Sequence, residues 1–199
     1  MKDKLIKNKR IAILATDGFE ESELFEPKEI LESYGAIVDI ISIKKGSIKA
    51  WNKDNWGRTI RVDLTASFAD ATEYDALVLP GGVMNPDKLR TEKDAIRFAS
   101  QFVQARKPIA AICHGPWLLI ELGMLADRHV TSWHSLKSDL TNAGAHWVDS
   151  QVVVDNGLIT SRRPEDIPAF CKKLIEEIIA GSAVTVKSIR QHDEETAAN

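Results

Sequence analysis

Cys113 and His114 stand side by side in AAICHGPWLL (residues 110–119), ahead of Gly115-Pro116 and between two apolar runs. A cysteine thiolate attacks electrophilic carbon, so this pair is the first candidate for covalent chemistry. If PIAAI is a buried strand and GPWLLIEL a helix, Cys113 falls on the sharp strand-to-helix turn that defines a nucleophile elbow. The helix start beneath it would favour thiolate over thiol. Gly115 lacks a Cβ and lets such a turn pack closely. His114 is a candidate general base, a partner for a carboxylate, or a donor through its backbone N–H, since adjacent side chains normally diverge. Cys171 reads differently: in AFCKKLIEEII it lies at helical spacing from Leu174 and Ile175, a packing position.

Acids crowd a second stretch, TDGFEESELFEP, with Glu20, Glu21 and Glu23 at a loop-to-helix junction. Glu20 and Glu23 are three apart and can share a helical face. A carboxyl brought beside a thiolate and away from water is expected to hold its proton to higher pH, and could then bond the sulfur or pass a proton to substrate. Glu21 fits an N-terminal acid facing a helix dipole. In LVLPGGVMNPDKLR, Gly81 and Gly82 end a strand and would let backbone N–H groups approach a ligand; with the His114 N–H they form a candidate oxyanion hole. Asp87 follows near the mouth of the proposed site.

Trp117, Trp133 and His134 are candidates for the pocket entrance, with core or interface packing as the alternative for both tryptophans. The five histidines make no metal motif: His129 and His134 are five apart and HExxH is absent. No metal is expected. Neither GxGxxG nor a P-loop occurs, so no nucleotide cofactor is expected either.

These residues need a scaffold that gathers them at one edge. Short β-branched runs at 10–16, 37–43, 75–82 and 107–115 lack strict alternation, which marks strands buried on both faces of a parallel sheet. Further β-rich runs lie at 129–133, 146–149 and 150–161. Helical patterns lie between: one closing at Gly35, one with Thr91 as N-cap, one opening at Pro116, one with a Ser135 cap and a Gly144 stop, and a long amphipathic final helix. Strand and helix in alternation predict an α/β three-layer sandwich with a mostly parallel central sheet, whose ligands bind outside the carboxyl ends of the strands. Asn156-Gly157 predicts an antiparallel hairpin added to that sheet. Residues 44–70 predict a small hairpin before the third parallel strand.

The chain has 199 residues, 44% hydrophobic and 28% charged, with net charge -3. That suits one globular domain and gives no basic surface for nucleic acid or membrane. The expected layout is a polar leader at 1–8, a single domain at 9–181 and a partly disordered tail at 182–199. No apolar run reaches the roughly 20 residues that span a bilayer, and none forms a signal peptide. With no disulfide framework, a reducing cytoplasm is the expected location.

Taken together, DGFEESELFEP, YDALVLPGGVMNPDKLR, KPIAAICHGPWLL and LTNAGAHWVDSQVVVDNGLITSRRPEDIPAF resemble the PfpI/ThiJ superfamily, in its intracellular-protease and general-stress-protein branch. The resemblance spans about residues 9–181. It implies a flavodoxin-like sandwich, Cys113 as nucleophile, His114 beside it, Glu23 as the acid touching the sulfur and Glu20 as a further acid. In protease-like members a third residue comes from the neighbouring subunit, at the position of Asp87. Some members carry Glu there, in a loop one residue shorter. A homo-oligomer, at least a dimer, is implied.

The resemblance also implies a choice of activities: peptidase, glutathione-independent glyoxalase, deglycase acting on glycated groups, or holdase chaperone. Small carbonyl substrates are favoured over peptides, because the nucleophile is clear and the triad is not. A redox-sensing chaperone is the competing class, since an exposed thiolate oxidises readily. A glutamine amidotransferase shares the cysteine elbow, but no synthetase domain and no downstream His-x-Glu pair appear.

Overall fold

The computed structural model describes residues 4–181. In chain order the elements are β1 (Arg10–Leu14), β2 (Phe19–Glu20), α1 (Glu21–Ser33), β3 (Ile37–Ser42), β4 (Ser47–Asn52), β5 (Asn55–Arg61) and β6 (Leu64–Thr65). There follow β7 (Ala76–Leu79), α2 (Met84–Leu89), α3 (Lys93–Gln104), β8 (Ile109–Ile112) and α4 (Trp117–Glu121). The last third holds β9 (His129–Val130), α5 (Lys137–Asn142), β10 (His146–Trp147), β11 (Val152–Asp155), β12 (Leu158–Ser161) and a closing helix α6 over 167–181. The tail expected at 182–199 lies outside the described residues.

The central sheet has seven strands in the order β11-β12-β8-β7-β1-β3-β6. All pair in parallel except β11 with β12. Their side chains alternate between two cores, as strand geometry requires. Along β1, Ile11 and Ile13 face one core, with α1 and α6; Ala12 and Leu14 face the other, with α3, α4 and α5. The central strands β7 and β8 are covered on both sides along their whole length, which is why ALVL and IAAI are apolar without a break, whereas the edge strand β11 is only partly buried. The flavodoxin-like three-layer arrangement is therefore the observed fold.

Local chemistry explains most boundaries. Gly35, at φ +95°, closes α1: its N–H donates to Glu32 O and the Ala36 N–H to Leu31 O, a Schellman stop. Gly144 ends α5 in the same way, through Thr141 O and Leu140 O. Asn156 and Gly157, both at positive φ, form the tight turn of the β11–β12 hairpin. The 44–70 segment holds the β4–β5 hairpin, and β4 also pairs in parallel with β2, setting Glu20 opposite Trp51.

Two caps differ from expectation. Thr91 does not cap α3, which starts at Lys93 after Glu92; the Thr91 hydroxyl donates back to Lys88 O instead. Ser135 lies in a short 3-10 turn before α5, and its hydroxyl faces His114 rather than a helix N–H. Of the leader expected at 1–8, residues 4–8 include a turn with Ile6 buried and its N–H donated to Tyr34 O at the end of α1. No helix of the described residues is long and apolar enough to cross a membrane.

Candidate active site

The loop after β8 is the structural centre of the site. Cys113 takes φ +61°, a left-handed conformation that costs a non-glycine residue about 1–3 kcal/mol and persists only where its surroundings enforce it. Here they do. The Cys113 N–H donates to Ser161 O at the end of β12, its carbonyl accepts the Trp133 N–H, and the Gly115 N–H turns back to Ile112 O. At Gly115 a Cβ would lie 2.4 Å from Leu79 O, so only glycine fits under the elbow.

Gly81, at the end of β7, brings the acid to the thiol. Its N–H donates to Glu23 Oε2 at 2.8 Å. A Cβ at Gly81 would stand 2.6 Å from that oxygen, 2.7 Å from Cys113 Cβ and 2.8 Å from the His114 nitrogen. Gly82, at φ +74°, is pressed against Gly18 O and the Glu20 backbone. The Gly81 N–H is thus committed to Glu23 and does not serve as a donor toward substrate; the Gly82 and His114 N–H groups are the ones that favour a negative charge on the Cys113 sulfur.

Glu23 is fully buried on the first turn of α1, and among the described residues its Oε1 has no hydrogen-bond partner. Burial pushes its carboxyl up to about 8, against the Gly81 N–H and with help from the charge on Glu20. Burial first, then the Glu23 carboxylate, also push the Cys113 thiol up, while the Gly82 and His114 N–H groups pull the other way. The thiolate-favouring effect expected of the helix start is therefore outweighed, first by burial of the sulfur and further by Glu23 while that carboxyl is charged. When Glu23 holds its proton, that repulsion vanishes. Glu20, half-buried, is pushed up mainly by burial, and the Ser22 hydroxyl lies 3.4 Å from its Oε1. Glu21 turns away to Arg58, whose guanidinium lies 3.8 Å from the Phe25 ring centroid.

His114 does reach its neighbour: Nδ1 lies 3.2 Å from Cys113 Sγ. Nε2 faces Ser135 Oγ at 3.4 Å. Trp133 stacks on the imidazole at 6.3 Å between centroids, and Trp117 meets it edge-on at 5.3 Å. Trp117 is held by its Nε1–H to Asp139, and exposed His134 lies over Trp133 at 4.9 Å. Burial, then His134, lowers His114 to about 4, so the ring is neutral at neutral pH. Among the described residues no carboxylate bonds to His114. Asp87 is exposed on α2 and is not brought to it. Cys171 is buried in the core, where burial pushes its thiol up to about 12.

The sequence matches the DJ-1/PfpI family over residues 9–177. The chain belongs to the DJ-1/PfpI family. Among DJ-1/PfpI relatives, a candidate cysteine protease of Bacillus subtilis is 40% identical over 163 residues, 82% of this chain and 94% of that protein. A deglycase of Pyrococcus abyssi is 40% identical over 167 residues, 84% of this chain and 98% of that protein. Of solved structures, a two-domain protein of Anabaena variabilis with DJ-1/ThiJ/PfpI-like and ferritin-like domains aligns with TM-score 0.80 at 35% identity. That alignment covers 85% of this chain and 48% of the two-domain chain.

Several residues of this DJ-1/PfpI site escaped the sequence reading. Asn85, wholly buried, accepts the Thr16 N–H at 2.7 Å and donates to Pro80 O and Gly81 O. It ties the loop after β1 to the loop after β7, so Glu23 and Gly81 meet in register. Read along the chain, it was only the first polar residue of a helix start. Ser135 looked like a cap and Ser161 like the end of a strand. Neither position carries a local signal for its part in the site, because each acts through a contact with the elbow from far along the chain. No group of three or more metal-ligating side chains occurs among the described residues.

Proposed function

We propose that this protein is a cysteine-dependent enzyme acting on reactive carbonyls, of the glutathione-independent glyoxalase or deglycase type. The observation that carries this reading is the pairing of a fully buried Glu23, pushed up to about 8, with a thiol whose histidine neighbour has no carboxylate partner among the described residues. Carbonyl addition needs a nucleophile and a proton carrier. Peptide hydrolysis needs in addition a strong base to activate water and an acid for the departing amine. The deglycase relative supports the first choice.

In this reading the Cys113 sulfur forms a C–S bond to the aldehyde carbon as the C=O π pair moves to oxygen. The sulfur's proton passes to His114 Nδ1 and from there to the new oxygen, giving a neutral hemithioacetal. The Gly82 and His114 N–H groups receive the oxyanion as it develops. Glu23 keeps its proton and stabilises the sulfur without opposing it by charge. With methylglyoxal, the same imidazole takes the C1 proton as the ketone oxygen gains one, giving an enediol, and then delivers a proton to C2 as the C1 hydroxyl gives up its own, leaving a lactoyl thioester. Water then releases lactate and restores the thiol, so no oxidant or reductant enters.

The exposure of Asp87 on α2, together with the candidate protease relative, favours one second reading: a peptidase in which Asp87 of one subunit completes the site of another. The deciding experiment compares wild type with Cys113→Ser in thiol-free buffer, on methylglyoxal with lactate as product and on a fluorogenic peptide panel. Cys113-dependent lactate without peptide cleavage supports carbonyl chemistry; Cys113-dependent peptide cleavage without lactate replaces it with the peptidase.

A further inference from the structure

A second cleft opens on the same edge of the sheet, beyond the site at Cys113. From β8 the order runs to β7, β1 and β3. Three inter-strand spacings of about 4.8 Å put the end of β3 roughly 14 Å from the elbow along the edge. There the loops after β1 and β3, the β4–β5 hairpin and α2 border an open cleft of about 420 Å³. That is within the range of roughly 300–1,000 Å³ found for small-molecule sites.

Its lining combines positive charge with an aromatic face. Lys44, Lys49 and Lys88 line it, against a single carboxylate, Asp17. Asp17 is engaged: one oxygen pairs with Lys44 Nζ at 2.5 Å and the other accepts the Lys49 N–H at 2.8 Å. Lys49 and Lys88 have no carboxylate partner among the described residues, although Lys88 is close enough to act on Asp17. Trp56 is 44% exposed, with Lys49 Nζ 5.9 Å from its centroid. Trp51 braces it edge-on at 5.5 Å and 82°, fixing the ring upright on the hairpin. The cleft thus holds two ammonium groups without a carboxylate partner among the described residues, one of them, Lys49, resting over the face of a braced planar ring from which a more strongly attracting anion would draw it.

We propose that this cleft is a second ligand site, for a phosphate group linked to a planar heterocycle, with the phosphates between Lys49 and Lys88 and the ring on Trp56. Ammonium groups bind phosphate as point charges, and aromatic side chains stack any base through its π face. A free nucleoside diphosphate and the end of a single nucleic-acid strand share this chemistry. The inference is independent of the reaction at Cys113.

The test is calorimetric titration of the full chain with ADP, inorganic pyrophosphate, adenosine and a short single-stranded DNA. ADP is expected to bind more tightly than pyrophosphate, and adenosine more weakly than either. Lys49→Gln/Lys88→Gln should weaken ADP by about tenfold or more, the loss expected when charge-assisted contacts go. Trp56→Leu should remove the preference for ADP over pyrophosphate while circular dichroism stays native. Cys113→Ser should bind ADP as wild type does. DNA that competes with ADP would identify a strand end as the natural source of the same chemistry. The proposal is overturned if ADP shows no saturable binding at millimolar concentration. Undiminished binding in the lysine double variant would overturn it too, as would loss of ADP binding in Cys113→Ser, which would place the ligand at the elbow.

Discussion

Glu23 Oε2 accepts the Gly81 N–H at 2.8 Å inside the protein, and among the described residues that bond is the only one the carboxyl makes to a backbone group. It fixes the acid beside Cys113 but does not offset the loss of water. The carboxyl is therefore raised from 4.5 to about 8. A group whose folded value is raised contributes stability that is fully present below its unfolded value and is lost as pH rises through the folded one. The Glu23 contribution is whole below about 4.5 and gone above about 8. At roughly 1.4 kcal/mol per pKa unit, the change is on the order of a few kcal/mol. Urea midpoints at pH 5 and pH 9 should fall for wild type and change much less for Glu23→Gln, which keeps an acceptor for Gly81 and cannot ionise.

His114 gives the opposite limb. Its value falls from 6.5 to about 4 because the ring is buried. Stability tied to it is present above about 6.5 and is lost as pH falls through about 4. Histidine proton shifts should show one ring titrating near 4. Trp133→Ala should expose the imidazole and move that midpoint back toward 6.5.

Gly81→Ala should be far more damaging than an ordinary loop substitution. Its Cβ would meet Glu23, Cys113 and the His114 nitrogen within 2.8 Å, two of them on groups fixed by other contacts. Thermal unfolding should show a loss of about 3 kcal/mol, at the upper end of the usual range for overpacking a rigid interior. Activity should fall with it even below the melting temperature.

Asn85→Asp tests the tie between the β1 and β7 loops. Aspartate keeps an acceptor for the Thr16 N–H but presents an acceptor to Pro80 O and Gly81 O, where Asn85 donated. Leaving buried polar groups opposed costs about 1–3 kcal/mol for each, so denaturant midpoints should drop clearly at pH 7. Protonating the new carboxyl restores a donor, and part of the loss should return at acid pH.

Asp87→Asn separates the two functional readings. Under carbonyl chemistry, lactate formation should stay within about twofold of wild type. Under the peptidase reading, mixing Asp87→Asn with Cys113→Ser should regenerate activity, since some mixed sites regain both groups. Mixed oligomers that stay inactive on peptides, with Asp87→Asn fully active on methylglyoxal, would remove Asp87 from the mechanism.

The parallel strands, the β11–β12 turn and the glycine stops were legible in the sequence because each rests on local chemistry: an apolar run, Asn156-Gly157, Gly35 and Gly144. The cysteine elbow was legible for the same reason. The charge state of Cys113 was not. A helix start is visible along the chain, but the carboxyl of Glu23 opposing it is set by a contact across 90 residues. Gly81 shows the same limit. Its need to be glycine could be anticipated, but its N–H goes to Glu23, which only the meeting of α1 with the end of β7 decides. Thr91 and Ser135 failed as caps because nearby carbonyls and a distant imidazole compete for their hydroxyls.

The elbow is bonded through its backbone to β12 on one side and to Trp133 on the other. Cys113, 8% exposed, is therefore reached slowly by a bulky thiol reagent until part of that frame opens, and Cys171, sealed in the core, needs a larger opening still. The two free cysteines form a built-in pair of clocks. The labelling rate of Cys113 times the local parting of the hairpin and the 131–133 loop, and that of Cys171 times the departure of α6 from the sheet. Their ratio, followed through denaturant or on adding substrate, would tell whether the reactive centre loosens by itself or only when the whole domain gives way.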